Sequence, residues 1–424
     1  MAGFLGMRGT GDWATDERPY NWRQGILFLY PNGSAPLTAI LSKMGEESVD
    51  DAQYNWWTKT LASQRAAITG VYTSVNLSSA YTSGGTAGQT IYFKMAEASA
   101  DQFRVGHQVL LRDASDLTVD VNAKVTAVVK NGASSYIAAK LLEADDNSSA
   151  GDLSNCDTAL IIGNINPEGG ATPDALAYDP TKLYNYTQIF RTSLEITRTA
   201  KKTRLRTADA YKEAKREALE IHSIEMEKAF LFGVKSENTG ANGKPERTTQ
   251  GVISCIKENA ATNVFDYVSD TDYSGLTWMQ GGEDWLDAKL EVLFRYGATE
   301  KLAFCGSGAL LAIQRLAKAG GQIQLTPTST SYGIKVVQWI TPFGAINLKT
   351  HPLFSYETTN RNMMLIIEPP KLKYRYIDDT QFKKDQQDAG TDGSKDEYLT
   401  ECGLEFHHPS TFGIFTGMNT DNAV

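Results

Sequence analysis

The chain has 424 residues, 41% of them hydrophobic and 21% charged, with a formal net charge of −9. This length accommodates two or three domains, and the composition is that of a folded soluble protein, not a disordered one. The acidic balance argues against a dedicated nucleic-acid grip, which needs a basic excess at the phosphates, although a protein can enclose DNA without holding it tightly.

Residues 1 to about 54 read as extended, with Gly, Pro and Asn-Gly punctuation in "MRGTGDW", "DERPYNW" and "LYPNGSAP". A short helix is expected from Pro36 to Met44, capped by Ser34. Trp13, Tyr20, Trp22, Phe28 and Tyr30 have little local core to enter. They belong either to an arm lying on neighbours or to a strand entering a core. The opening residues lack the long apolar stretch of a signal peptide. No run approaches the roughly 18 apolar residues of a membrane span, so no membrane partner is expected.

Residues 84–165 change character. "QTIYFKM", "HQVLLRD", "AKVTAVVKN", "SSYIAAKLL" and "TALIIGN" are β-prone runs separated by turns, which predicts a small antiparallel sheet or barrel. The flanks "SSAYTSGGTAG" and "NPEGGATPDA" suit a domain inserted into a loop. "YNYTQIFRTSLEITRTAKKTRLR" then starts as an alternating strand and ends basic, with Arg198, Lys201, Lys202, Arg204 and Arg206. Such a run is either a solvated face or a subunit or loose DNA contact.

A long helix follows, capped by Thr207 and stopped by Gly233 as a C′ residue. About 25 residues at about 1.5 Å each make it roughly 37 Å long. "KSENTGANGKPERTTQG" reads as a polar loop and "EDWLDAKLEVLFRYG" as an amphipathic helix. "KLAFCG" is a buried strand and "GALLAIQRLAKAGG" a second helix. Two strands surround the Pro342–Gly344 turn. "MMLIIEPPKLKYRYI" is a strand ended by Pro369 and Pro370, "YIDDTQFKKDQQDAGTDGSKDE" is a solvated loop, and "EYLTECGLEFHHPSTFGIF" is a final strand.

The helical stretch "EALEIHSIEMEKAFLFG" combines Glu220, His222 and Glu225, residue types suited to metal binding or acid–base work. A helical wheel places Ala210, Tyr211, Ala214, Ala218, Leu219, Ile221, Met226, Ala229 and Phe232 on one arc. Asp209, Glu213, Arg216, Glu217, Glu220 and Glu227 lie opposite. Glu220 and His222 point apart, so they cannot share a ligand. His222 and Glu225 share the apolar arc, where a carboxylate needs a partner because burying it alone is costly. Glu225 is therefore expected to meet a basic group, from Lys201 to Arg206 or from an adjacent subunit.

No catalytic, cofactor-binding or metal residues emerge. His-Glu-x-x-His is absent, and di-metal bundles need Glu-x-x-His on two helices. In "AFCGSGAL", Cys305 occupies the first glycine position of a nucleophile elbow. No phosphate loop or Rossmann glycine pattern occurs, and His407 and His408 point oppositely on a strand. Cys156, Cys255, Cys305 and Cys402 are too dispersed for a C-x-x-C site and read as reduced, mostly buried thiols.

The order of elements, with "NYTQIFRTSLEITRTAKK" before a helix ending "EMEKAFLFG", then "KLAFCGSGALLAIQRLA" and "VVQWITPFGAINLKTHPLF", resembles the tailed-bacteriophage major capsid proteins of the Hong Kong 97-type, or Johnson, fold. The resemblance implies an α+β chain with an N-arm at 1–54, the first part of an E-loop and P-domain at 55–83, and the β insertion at 84–165. It continues with an E-loop return strand at 166–206, a P-domain spine helix at 207–233 and further P-domain at 234–280. An A-domain at 281–365 and P-domain return strands at 366–424 complete it.

The resemblance also implies self-assembly, without catalysis, into hexamers and pentamers of an icosahedral shell enclosing double-stranded DNA. Assembly is expected in the host cytoplasm, with a separate scaffolding protein, a portal and a decoration protein as partners. Candidate intersubunit or packing contacts are Glu225, His222, Arg198, Lys201, Lys202, Arg204, Arg206, Trp13 and Trp22. Lys182 and Asn185 are of the types joined in crosslinked relatives, but no crosslink is expected. The alternatives are a tail-tube or decoration protein, and a hydrolase.

Overall fold

The structure is a computed structural model that describes residues 37, 46–59, 64–116, 118–145, 152–170, 172–173, 175–203, 209–320, 325–331 and 334–422. Two compact units result, one from residues 1–56 and 182–424, the other from 57–181.

The second unit is a closed barrel. Its strands run in the order Arg65–Tyr72, Thr90–Met95, Tyr136–Leu141, Asp120–Val129, His107–Arg112 and Thr158–Asn164, which returns to the first. All six pairings are antiparallel. Alternation sends Ile91, Phe93 and Met95, then Val109 and Leu111, then Val121, Ala123 and Val125 into one apolar core. Closure leaves this sheet no free edge. Five of the strands coincide with the β-prone runs. The sixth, "RAAITGVY", precedes residue 84, so the compact unit is wider than the expected 84–165. Its small residues and Gly70 weaken its alternation.

The first unit contains a seven-stranded mixed sheet, in the order Val264–Asp266, Gly413–Thr416, Met364–Ile367, Glu300–Cys305, Gly344–Thr350, Ile334–Thr341 and Leu325–Ser331. This sheet separates two cores. Ala303, Cys305, Met364, Ile366 and Phe415 face the helices Trp278–Phe294 and Ser307–Gly320, burying Trp285, Leu290 and Ile313. Leu302, Phe304, Leu365, Ile367 and Ile414 join the opposite core with the helix Val252–Asn259. Successive residues of one strand thus serve different cores because side chains alternate between faces.

That second core continues to a four-stranded sheet ordered Glu46–Ser48, Leu372–Lys383, Gly393–Phe406 and Gln188–Thr197. The 23-residue helix Ala210–Phe232 lies on one face of this sheet. The other face carries ion pairs, including Arg191–Glu397 at 2.6 Å and a Lys395–Glu195 pair.

Several expectations need correction. The helix is capped by Asp209, whose side chain accepts the Tyr211 amide at 3.0 Å, whereas Thr207 lies outside the described residues. The expected Pro36–Met44 helix also falls outside them except at Leu37, which is helical. The polar loop after Gly233 contains a hairpin, Ser236–Thr239 with Pro245–Thr248. The helix expected near Glu283 starts at Trp278, where the Thr277 amide donates to Gln280 Oε1 at 3.1 Å. Gly282 sits within it because a Cβ there would come within 2.8 Å of the Trp278 ring. Pro369 and Pro370 interrupt only briefly, through a 3₁₀ turn, before the 12-residue strand Leu372–Lys383. Most of the supposed acidic loop therefore lies in paired strands, held by cross-strand bonding that composition does not reveal.

Candidate functional site

Of the residues singled out by sequence, Glu225 and His222 lie on the long helix, and Arg198, Lys201 and Lys202 follow a strand of the sheet it packs on. Ala218, His222, Met226 and Phe230 recur every four residues and form the buried stripe. His222 lies between opposite strands, with Nε2 2.8 Å from Thr400 Oγ1 and Nδ1 3.0 Å from Thr192 Oγ1. Phe190 and Tyr398 flank its ring. Burial lowers the His222 pKa, with Glu225 acting in the opposite direction.

Glu225 does not lie on the packed face to which the wheel assigns it. It is exposed and accepts a bond from Thr192 Oγ1 at 3.4 Å, with no basic group of the described residues paired to it. Leu219 and Ile221, also assigned to the packed arc, are 41% and 50% exposed. The buried carboxylate is instead Glu227, assigned by the wheel to the outer arc and here fully enclosed. It accepts the Leu37 amide at 2.9 Å and lies 2.8 Å from His351 Nε2. Nδ1 of His351 accepts the Leu353 amide at 3.2 Å. The proton of a neutral ring is therefore on Nε2, which donates to Glu227. A helical wheel cannot reveal this site, because its partners are 190 and 124 positions away.

The basic run is partly engaged within the chain. Arg198 pairs with Asp392 at 2.7 Å, and Lys201 lies 3.4 Å from Ser394 Oγ and 4.7 Å over the Tyr211 ring. Lys202 is exposed at the end of the short helix Arg198–Lys202. Arg204, Arg206, Trp13 and Trp22 lie outside the described residues.

No group of three or more His, Cys, Asp or Glu side chains among the described residues could hold a metal ion. All four cysteines are buried and free, and burial raises the thiols of Cys156, Cys255 and Cys402 to about 12. Gly306 and Gly308 permit close packing: a Cβ at Gly306 would lie 2.2 Å from the Arg361 carbonyl, and one at Gly308 2.0 Å from Asn362 Oδ1. A buried lysine that the sequence did not single out, Lys301, donates to the Thr411 and Tyr296 carbonyls at 2.9 and 3.1 Å and lies 3.7 Å from Glu368. Burial lowers its pKa and Glu368 opposes that shift. With its donors directed at carbonyls and a carboxylate, Lys301 is a structural cation rather than a nucleophile.

The SU10 major capsid protein family model matches residues 20–419. The major capsid protein of Pseudomonas phage PaMx41 is 24% identical over 417 residues, covering 93% of this chain and 91% of that one. Among solved structures, Microbacterium phage Oxtober96 matches with a TM-score of 0.45 at 11% identity, covering 96% of this chain and 98% of the other. Mycobacterium phage Adephagia matches with a TM-score of 0.44 at 8% identity, covering 95% of each. The family match runs through both units and takes in the long helix and both sheets, so the chain belongs to the SU10 major capsid protein family and is a major capsid protein of a phage.

Proposed function

We propose that copies of this chain assemble, without catalysis, into hexamers and pentamers of an icosahedral shell enclosing double-stranded DNA. The proposed subunit is of the Hong Kong 97 type. In this reading Ala210–Phe232 is the spine and the four-stranded sheet belongs to the P-domain. The helices Trp278–Phe294 and Ser307–Gly320, with their sheet, form the A-domain. The barrel is an insertion in the E-loop, and residues 1–54 are the N-arm. The observation carrying the proposal is the uninterrupted 23-residue helix lying along long sheet strands, which supplies a rigid brace for a thin subunit.

Exposed apolar residues at the helix end, Phe232 and Val234, support contacts between copies. Exposed Glu225 and Lys202 remain available to neighbours, while Arg198 and Lys201 would combine intrachain and intersubunit roles. His222 is a packing contact. An acidic chain suits enclosure of DNA better than a tight grip. Scaffolding, portal and decoration proteins are the proposed partners, with assembly in the host cytoplasm. Electron microscopy of purified protein and virions tests the proposal. Closed shells with six-fold and five-fold clusters are expected; protein that never forms rings, sheets or shells and is absent from virions would overturn it.

A further inference from the structure

The helix Trp278–Phe294 carries Glu283 and Asp287 one turn apart on the same face. Like charges at that spacing destabilise a helix unless a cation lies between them. Neither carboxylate pairs with a cation among the described residues. The cations that follow them are committed elsewhere, Lys289 to Asp270 at 2.8 Å and Arg295 to Glu291 at 2.7 Å.

Glu283 and Asp287 both line a cavity of about 160 Å³. Its apolar walls are Leu286, Leu316 and Trp339, each at most 4% exposed. Acid groups beside an apolar floor suit a group that is apolar along its length and positive at its end. Small-molecule sites begin at roughly 300 Å³, so this cavity has the size for one long side chain. Ile340, which also lines it, and nearby Phe343 are exposed, leaving apolar surface for a protein partner to cover. The chain itself offers the complementary group: Lys228, Lys257 and Lys318 are exposed and form no ion pair among the described residues.

We propose that this cavity is the socket for a lysine or arginine side chain of a second copy of this chain. The methylene stem seats on Leu286, Leu316 and Trp339, and the charge sits with Glu283 and Asp287. The inference rests on the proposed assembly of copies and adds a contact that joins them. A socket on one copy and a cation on the next make a heterologous contact, the kind that closes rings.

The test measures one double variant of the full chain in two ways. Glu283→Gln with Asp287→Asn removes the like-charge pair, so the unassembled variant should melt at or above the parent's midpoint. The same variant should need about tenfold more protein to assemble, read by light scattering and electron microscopy. Without a socket the opposite is expected, because copies of net charge −9 repel each other less once negative charge is removed. Asp287→Glu, which keeps the charge, should assemble as the parent does. A double variant that assembles at or below the parent's threshold would overturn the socket and leave shell formation standing. A lowered melting midpoint would assign the two carboxylates to the chain's own fold and also overturn it. A parent that never assembles would overturn the assembly reading and the socket together.

Discussion

His222 illustrates how a residue suited to chemistry becomes structural when both ring nitrogens meet threonine hydroxyls. Burial depresses its pKa, so its unfolded state binds a proton more readily than its folded state. Its contribution to stability is present above the unfolded value, near 6.5, and is lost as pH falls through the lower folded value. Thermal melts of unassembled chain should show His222→Gln losing less stability between neutral and mildly acidic pH than the parent. Glu227 is a stricter case. Glu227→Ala would leave the Leu37 amide and His351 Nε2 without their acceptor, costing about 3 kcal/mol by denaturant titration. Glu227→Gln, whose amide oxygen can still accept, should lose less. The cysteines should resist a thiol reagent in native protein, all four reacting only after denaturation, because burial disfavours the thiolate.

At the scale of elements, the end of the long helix differs from the expected glycine stop. Gly233 has φ −57, outside the left-handed region, so its importance is not conformational freedom. A Cβ there would lie 2.5 Å from both the Ala229 and Thr249 carbonyls. Both obstacles are backbone, which yields less readily than a side chain. Gly233→Ala should therefore cost about 1–3 kcal/mol in a urea titration. An unchanged midpoint would show that the helix end shifts freely. The stripe Ala218, His222, Met226 and Phe230 explains why a helix with an otherwise mixed surface holds its orientation on the sheet. Alternation along Gln188–Thr197 was readable because Phe190 and Leu194 face the helix while Ile189, Arg191 and Glu195 face outward.

At the scale of the molecule, each unit has its own core. A closed barrel with all strands paired needs no neighbour to cover an edge. A fragment spanning 57–181 should fold by itself, giving a cooperative melt and dispersed amide resonances. A fragment lacking those signatures would show that its core is completed by the rest of the chain. The proposed assembly of copies would give the exposed apolar residues of the larger unit, such as Phe232 and Val234, surfaces to cover them.

Local pattern determined the mixed helix and strand content, five barrel strands, the unbroken central helix and the lack of a recognisable catalytic motif. Such features follow from side-chain period, breaker residues and short spacings, all contained in neighbouring stretches of chain. Tertiary structure decided which strand closes the barrel, why Gly233 must be small, and which helix carboxylate is buried. It also joined Glu227 to His351. Periodicity states that a side chain has an inward face; only packing between distant segments determines what meets it there.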